Sequence, residues 1–509
     1  MTFFESLLAL LLVAIALLQL ARRLSLPYPT MLAGAGVIVA MIPNAPSFSI
    51  DPATCLALFI APAVVDAAFD FPPGATRRFV APLVTYAVIA VLLTTAVVAW
   101  IASAILGLPL AAGIALGAVV SPPDAAAATA VLRKFSLPRQ TDAVLKGESL
   151  FNDATALLLF SGALTVLGRG GLSLPIGLRL GFAAPGGLLL GVLCAYLYVP
   201  LSRMVKDTLG GVLLQFVSAY CLWIIAEHPG LSAVLCVIGF AMTLASKLSP
   251  SDFDARMRVQ SYAVWSAVVF TLNVLAFLLM GMQARSILAR MQGPHLRDAL
   301  GFAGLVVLAV VAVRMIVVLG YSYLASRRDN SDGTFRQGIF MGWCGMRGFV
   351  TIATAFALPD SFLHRDTVVL TAFSVVLATL VLQGLTLGPM VRLLRLDRSE
   401  EAQSELASAR VSLARAALAS VAGEHGPEAE NLRYRLSLKL QRCVDSEKCE
   451  PLDRLHSLGL TAIEAERTEL EDLRSEDKIG SAAYLGLQEQ LDWNELTLLR
   501  DSERQIEEI

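Results

Sequence analysis

Apolar side chains fill long runs near residues 3–21, 30–43, 53–69, 79–105, 110–132, 142–167, 176–202, 210–226, 231–246, 259–284, 298–325, 335–358 and 366–396. Most reach or approach the roughly 20 residues that a helix needs to cross a ~30 Å hydrocarbon core. The pattern predicts about thirteen transmembrane helices, the second, eighth and ninth being short. Two of the runs are interrupted from within. The fifth carries Val120-Ser121-Pro122-Pro123-Asp124, whose prolines remove backbone donors and prevent a continuous helix. The twelfth, from Gly338 through Gly342 and Gly345 to Met346-Arg347-Gly348, is glycine-dense around a lone arginine. Non-helical backbone at membrane depth is tolerated where it is buried or lines a cavity. With two inverted six-helix repeats joined by the seventh span, spans five and twelve are the same member of each repeat. Interruptions at matching positions point to the binding site of a secondary transporter.

Beyond residue 396 the pattern changes. Residues 400–443 and 452–508 are rich in Ala, Leu, Glu and Arg at helical spacing, punctuated by Gly423–Pro427 and Asp445–Pro451. The expected division is a transmembrane domain over 1–396 and a helical, non-catalytic cytoplasmic domain over 397–509. Leu491-Asp492-Trp493-Asn494-Glu495 fits either an amphipathic docking segment or an ordinary helix face.

Composition agrees with the membrane reading: of 509 residues 56% are hydrophobic and 16% charged, and the mean hydropathy is +0.66. The formal net charge of −2 hides an asymmetry. About 17 acidic and 26 basic residues precede residue 396, and about 25 and 14 follow it. About nineteen arginines and lysines flank the spans on one side against about six on the other, which makes the rich side cytoplasmic. An odd number of spans then places the N-terminus outside and the tail inside. The N-terminal stretch lacks a positive n-region and an A-x-A site, and so reads as a first transmembrane helix and not as a removed signal. Five of the seven cysteines lie in apolar runs, and Cys443 and Cys449 read as reduced thiols.

The sixth run holds the candidate chemistry. Lys146-Gly147-Glu148-Ser149-Leu150-Phe151-Asn152-Asp153 puts two carboxylates, a hydroxyl and an amide into a membrane-crossing helix. Such groups are costly at membrane depth and mark ion or proton paths. Helical spacing places Ser149 and Asp153 on one face, and Glu148 and Asn152 on another about 100° round. The first face offers hard oxygen ligands for a small cation. On the second, Glu148 needs a cation beside it or a proton on it. Arg314 and Arg347 are the candidate partners, and Arg314 is preferred because its own helix is otherwise apolar. Asp124 stands where a half-helix begins, so capping and direct ion contact both fit it. Asn273 fits either the same cavity or a helix–helix hydrogen bond. No histidine falls well inside a run, so any pH dependence near neutrality belongs to carboxylates.

At Gly147–Asp153 the chain resembles the monovalent cation:proton antiporter family, in its NhaP-like sodium/proton exchanger branch. The similarity covers most of residues 1–396, including the Ser121–Asp124 break, the Arg314 helix, Met346-Arg347-Gly348, and Asn273 ahead of Phe277-Leu278-Leu279-Met280-Gly281. The resemblance implies that the Asp153 position alternately binds a proton and a cation. It implies that Ser149 helps ligate the cation, and that Glu148 pairs structurally with an arginine such as Arg314. It also implies a homodimer whose core moves like an elevator, and inverted repeats with crossed unwound helices. Family members often carry Thr directly before the aspartate of the span-five break. Here that position is Pro123, which offers no side-chain ligand, so the choice among Na⁺, Li⁺ and K⁺ is open.

The expected function is electroneutral exchange of Na⁺ or Li⁺ for H⁺ across the inner membrane, serving pH and sodium homeostasis, with Asp153 as the single mobile negative site. No cofactor, enzymatic activity or nucleic-acid partner is expected. A K⁺/H⁺ antiporter of the same family is the alternative. A cation channel fits less well because two spans are broken. An intramembrane aspartyl protease lacks a G-x-G-D segment, and a sensor lacks an output motif in the tail.

Overall fold

The computed structural model describes residues 3–24, 31–32, 34, 52–69, 71, 74–132, 135–169, 171, 173–205, 208–247, 255–290, 294–329, 332–445, 450–476 and 478–499. Among them all regular structure is helical. The second apolar run, 30–43, lies almost wholly outside the described residues. The chain divides into two compact units, Met1–Asp397 and Arg398–Ile509.

In the first unit, beside a single helical turn at Ala75–Arg78, the helices are α1 (Phe3–Leu24), α2 (Pro52–Phe69), α3 (Val80–Leu106), α4 (Leu110–Val120), α5 (Ala125–Leu132), α6 (Arg139–Gly168) and α7 (Leu174–Met204). They continue with α8 (Leu209–Glu227), α9 (Ala233–Lys247), α10 (Ala255–Arg290), α11 (Pro294–Asp329), α12 (Asp332–Trp343), α13 (Phe349–Phe356) and α14 (Arg365–Leu393). Seven of these (α3, α6, α7, α8, α10, α11 and α14) are long and apolar enough to cross a membrane. Their outward faces are apolar too: Leu308 and Ile316 on α11 are 68% and 70% exposed, as suits a lipid solvent.

The two interrupted runs resolve into pairs of half-helices. α4 stops at Val120, where Pro122 and Pro123 cannot donate, and α5 restarts at Ala125. α12 stops at Trp343 and α13 restarts at Phe349, with residues 344–348 unwound between them. α3 carries a π-helical turn over Thr85–Ile89.

Small residues bring the helices around these breaks close together. A side chain at Gly117 would lie 2.5 Å from the Thr95 carbonyl oxygen, and one at Gly113 would lie 2.8 Å from that of Ala99, so α3 and α4 meet backbone to backbone. α6 packs against α4 and the π-turn of α3, while α11 packs against α12 and α14. The broken pairs are therefore held inside the bundle, where the exposed backbone groups of each break can find partners.

The second unit holds α15 (Ser399–Ser420), α16 (Pro427–Asp445), α17 (Glu450–Ser475) and α18 (Ser481–Leu498). The end of α17 at Ser475 was not marked by the composition of 452–508, although Gly480 stands at the start of α18. α17 and α18 form a hairpin clasped by Arg467, which bonds Asp492 at 2.5 Å and Glu495 at 2.6 Å. Asp492 and Glu495 of the candidate docking segment are thus engaged within the hairpin. The Tyr484 hydroxyl donates to Glu471, which holds the phenol above its ordinary pKa.

Candidate functional site

The site grows from the ends of the four half-helices. The last turn of a helix leaves carbonyl groups without intrahelical partners and carries partial negative charge. At the end of α4, Arg347 donates from Nε to the Val120 carbonyl at 3.2 Å and from Nη2 to that of Ser121 at 3.3 Å. At the end of α12, Arg314 donates from Nε to Gly342 at 3.2 Å and from Nη2 to Met341 at 3.0 Å. The C-termini of α4 and α12 thus each receive one buried guanidinium. The two differ in what neutralises the charge.

Arg314 also makes a two-pronged ion pair with Glu148, Nη1 to Oε1 and Nη2 to Oε2, the latter at 3.1 Å. Both partners are buried. Fork-to-fork geometry and the two carbonyl contacts satisfy most of the guanidinium, the condition under which a buried pair is tolerated. Arg347 is held on both sides of the crossing. Its guanidinium also contacts the Gly345 carbonyl, and its backbone N–H donates to Thr379 Oγ1 at 3.0 Å.

The breaks bond directly to each other, since the Asp124 N–H donates to the Met346 carbonyl at 2.7 Å. Asp124 stands at the N-terminus of α5, and its Oδ1 accepts from the Ala127 N–H at 3.4 Å. Its carboxylate also lies against Gly348, the residue before α13, where any Cβ would collide with it. Asp124 is therefore shared between two helix N-termini, whose dipoles favour negative charge.

α6 supplies the remaining groups. Asp153 is fourteen residues after the first residue of this helix, Arg139, so at ~1.5 Å per residue it sits roughly 21 Å along it, near mid-length. Glu148 and Asn152 are 1% and 0% exposed, while Ser149 and Asp153 are only partly buried. The polar residues thus divide into an inward face and a more open one. Gly147 admits the neighbours of this helix: a side chain there would meet the Phe71 ring at 2.6 Å. Asn152 Nδ2 donates to the Pro123 carbonyl at 3.0 Å, tying α6 to the break, and its Oδ1 is buried without a hydrogen-bond partner among the described residues. The Asp153 and Asp124 carboxylates lie close enough to repel one another.

Asp153 and Ser149 stand one turn apart on the more open face of α6, Asn152 lies on the next face round, and Asp124 is near Asp153. Hard oxygen donors of this kind suit a small alkali cation or a proton. Asn273 is half-buried on α10, whose main neighbours are α1, α2, α13 and α14.

Two residues join this constellation that sequence reasoning did not single out. Tyr86, buried in the π-turn of α3, hydrogen-bonds with Ser322 of α11, stacks edge-on against Tyr321 at 5.4 Å, and lies within electrostatic reach of Glu148 and Arg314. Single π-turns inside α-helices often occur at functional sites. The sequence signal was one tyrosine in an apolar run, whose phenol needs a partner when buried.

Residues 8–393 match the sequence profile of the transmembrane sodium/hydrogen exchanger family. An uncharacterised Na⁺/H⁺ exchanger of Mycobacterium tuberculosis is 28% identical over 94% of this chain and 93% of its own. A sodium, potassium, lithium and rubidium/H⁺ antiporter of Bacillus pumilus is 25% identical over 93% of this chain and 74% of its own. The sodium proton antiporter MjNhaP1 of Methanocaldococcus jannaschii has a similar fold, with a TM-score of 0.60 and 21% identity over 77% of this chain and 99% of its own.

Proposed function

The chain belongs to the transmembrane sodium/hydrogen exchanger family, and from that premise we propose that it exchanges Na⁺ or Li⁺ for H⁺, one for one, with Asp153 as the group that takes either ion. The observation that carries this reading is the charge balance of the crossing. Glu148, Asp124 and Asp153 bring three carboxylates to two guanidinium groups, Arg314 and Arg347. One negative charge is left over, and a charge at membrane depth without compensation is disfavoured. A single proton or a single monovalent cation restores neutrality, and the two compete for the same carboxylate. Competition couples the opposing fluxes, and each complete cycle moves no net charge.

Asp153 is the carrier in this scheme because the other two carboxylates are engaged. Glu148 is gripped by Arg314, and Asp124 caps α5 against Gly348. Ser149 and Asn152 Oδ1 complete the cation's shell beside Asp153. The pairing of α4/α5 with α12/α13 supports an arrangement of about thirteen spans in two inverted repeats. We place the chain in the cell membrane as a homodimer, with its N-terminus outside, its acidic tail in the cytoplasm and an elevator-like movement of the core.

K⁺/H⁺ exchange is the second reading. Pro123 withholds a side-chain ligand from the cation, its carbonyl is engaged by Asn152, and the Bacillus pumilus relative is named for four alkali cations.

The test is dequenching of a pH-sensitive dye in everted vesicles on addition of Na⁺, Li⁺ or K⁺, for the wild type and Asp153→Asn. The proposal expects a response to Na⁺ or Li⁺ that disappears in the variant. Activity that survives in Asp153→Asn overturns the assignment of the carrier, and a response to K⁺ alone establishes the second reading.

A further inference from the structure

Gln383 lies on α14 with 2% of its surface exposed, and neither its amide nitrogen nor its amide oxygen has a hydrogen-bond partner among the described residues. A primary amide carries two donors and a two-fold acceptor, and buried polar groups are almost always paired with protein or with ordered water. Where this amide sits is fixed by its neighbours on the same helix. Thr379, four residues earlier, accepts from the Arg347 N–H at 3.0 Å. Thr386, three residues later, accepts from Trp343 Nε1 at 2.8 Å. At about 100° per residue the three side chains fall within roughly 60° of one another. Trp343 immediately precedes the unwound stretch 344–348, and Arg347 lies near its far end. Gln383 is therefore set opposite that stretch, between two direct fastenings.

The stretch matters because of what it holds. It carries the Met346 carbonyl that accepts from Asp124, and the arginine that caps α4. The Cys344 N–H still reaches the Phe340 carbonyl one turn back and the Arg347 N–H reaches Thr379. Past Cys344 the helical ladder stops, so the other backbone groups of the stretch need partners from outside it. A water between an amide and an unwound backbone has the three or so polar neighbours that buried waters usually have.

We infer that Gln383 holds a buried water against residues 344–348, and so acts as a positioning residue for Arg347 and Asp124 at the cation site. The inference rests on the reading of the crossing as the transport site, but the water contact itself does not. Its loss would loosen the stretch between Thr379 and Thr386 and disturb cation binding more than turnover.

Hydrogen–deuterium exchange of the full-length protein in lipid nanodiscs, compared with transport in vesicles, tests this. In Gln383→Leu the amides of 344–348 should exchange at least tenfold faster than in the wild type, with those of α6 unchanged. The apparent KM for the cation should rise about fivefold or more, with the maximal rate within twofold. Gln383→Ser, which keeps a hydroxyl and leaves room for another water, should restore both. Unchanged exchange in Gln383→Leu overturns the water contact, and faster exchange with an unchanged KM overturns the positioning role. If Gln383→Leu does not fold, a high-resolution density map of the wild type decides. A water within hydrogen-bond distance of both the amide and the stretch supports the inference, whereas a dry contact, or an occupant that appears only with added Na⁺, overturns it. A wild type that exchanges no cation defeats the proposed function and leaves the exchange comparison intact.

Discussion

Arg314 grips Glu148 with both ends of its guanidinium while donating to the Met341 and Gly342 carbonyls. One side chain thus closes the end of α12 and fixes the inward face of α6. Glu148→Gln keeps the shape of the pair but leaves the arginine charge buried and uncompensated. The expected cost is about 3–5 kcal/mol, with a fall in Tm on the order of 10 °C. Arg314→Gln loses the carbonyl contacts as well and should be at least as severe. The double variant removes both charges, so its loss should be smaller than the sum of the single losses by more than about 1 kcal/mol. Thermal unfolding of the purified proteins measures this coupling, and strict additivity would show that the pair is not a unit.

Gly348 is required by the approach of Asp124 and not by its own backbone. Its φ of −134° is open to any residue, yet a Cβ there would occupy the space of the Asp124 carboxylate. Gly348→Ala should therefore displace Asp124 from between α5 and α13 and lower transport per folded molecule by roughly tenfold or more, following the usual penalty for overpacking a fixed site. Asp124→Ala combined with Gly348→Ala should recover expression without recovering transport. Full activity in Gly348→Ala, measured against the amount of protein in the membrane, would show that the position of Asp124 is not critical.

Much of this was legible in the sequence because membrane burial makes polar residues conspicuous. Glu148, Ser149, Asn152 and Asp153 stand out against apolar neighbours, and helical spacing alone separates their two faces. The breaks at Pro122-Pro123 and at Gly345–Gly348 were visible because proline and glycine interrupt the hydrogen-bond ladder. What could not be read was the third dimension. Nothing in the chain says that Arg347 crosses to α4, or that Asp124 rests against Gly348. Those contacts join residues more than two hundred positions apart, the first through backbone carbonyls and the second through the space a glycine leaves, and neither shows in side-chain patterning. The Arg314–Glu148 pairing was favoured only because Arg314 had no other visible partner. Tyr86 and Ser322 passed unnoticed because each is a mild polar residue that finds its partner only when α3 and α11 meet.

Tyr86 should matter to the ion pair through its position. Tyr86→Phe removes the hydrogen bond with Ser322 but keeps the ring against Tyr321. A loss of about 1 kcal/mol is expected, and Ser322→Ala should cost a similar amount. Because each single variant breaks the same bond, the double variant should be little worse than either. Melting curves of the three proteins decide this. Losses that simply add would place the two residues in separate networks.

Asn152 tests the charge balance most directly. Its Nδ2 holds the Pro123 carbonyl while contributing no charge. Asn152→Asp adds a fourth carboxylate where two guanidinium groups are present, so neutrality then needs two protons when no cation is bound. When Li⁺ displaces both of them, two protons exchanged for one Li⁺ move a net charge, and transport becomes sensitive to voltage at ~2.3 kcal/mol per charge per 100 mV. In proteoliposomes with an imposed diffusion potential, wild-type Li⁺/H⁺ exchange should run at the same rate with or without the potential. The variant should speed up or slow down with its sign, roughly tenfold or more per 100 mV at the limit where charge movement sets the rate. A wild type driven by voltage would overturn one-for-one exchange. A variant that transports but ignores voltage would show that the added carboxylate keeps its proton throughout the cycle, leaving Asp153 as the only group that trades one.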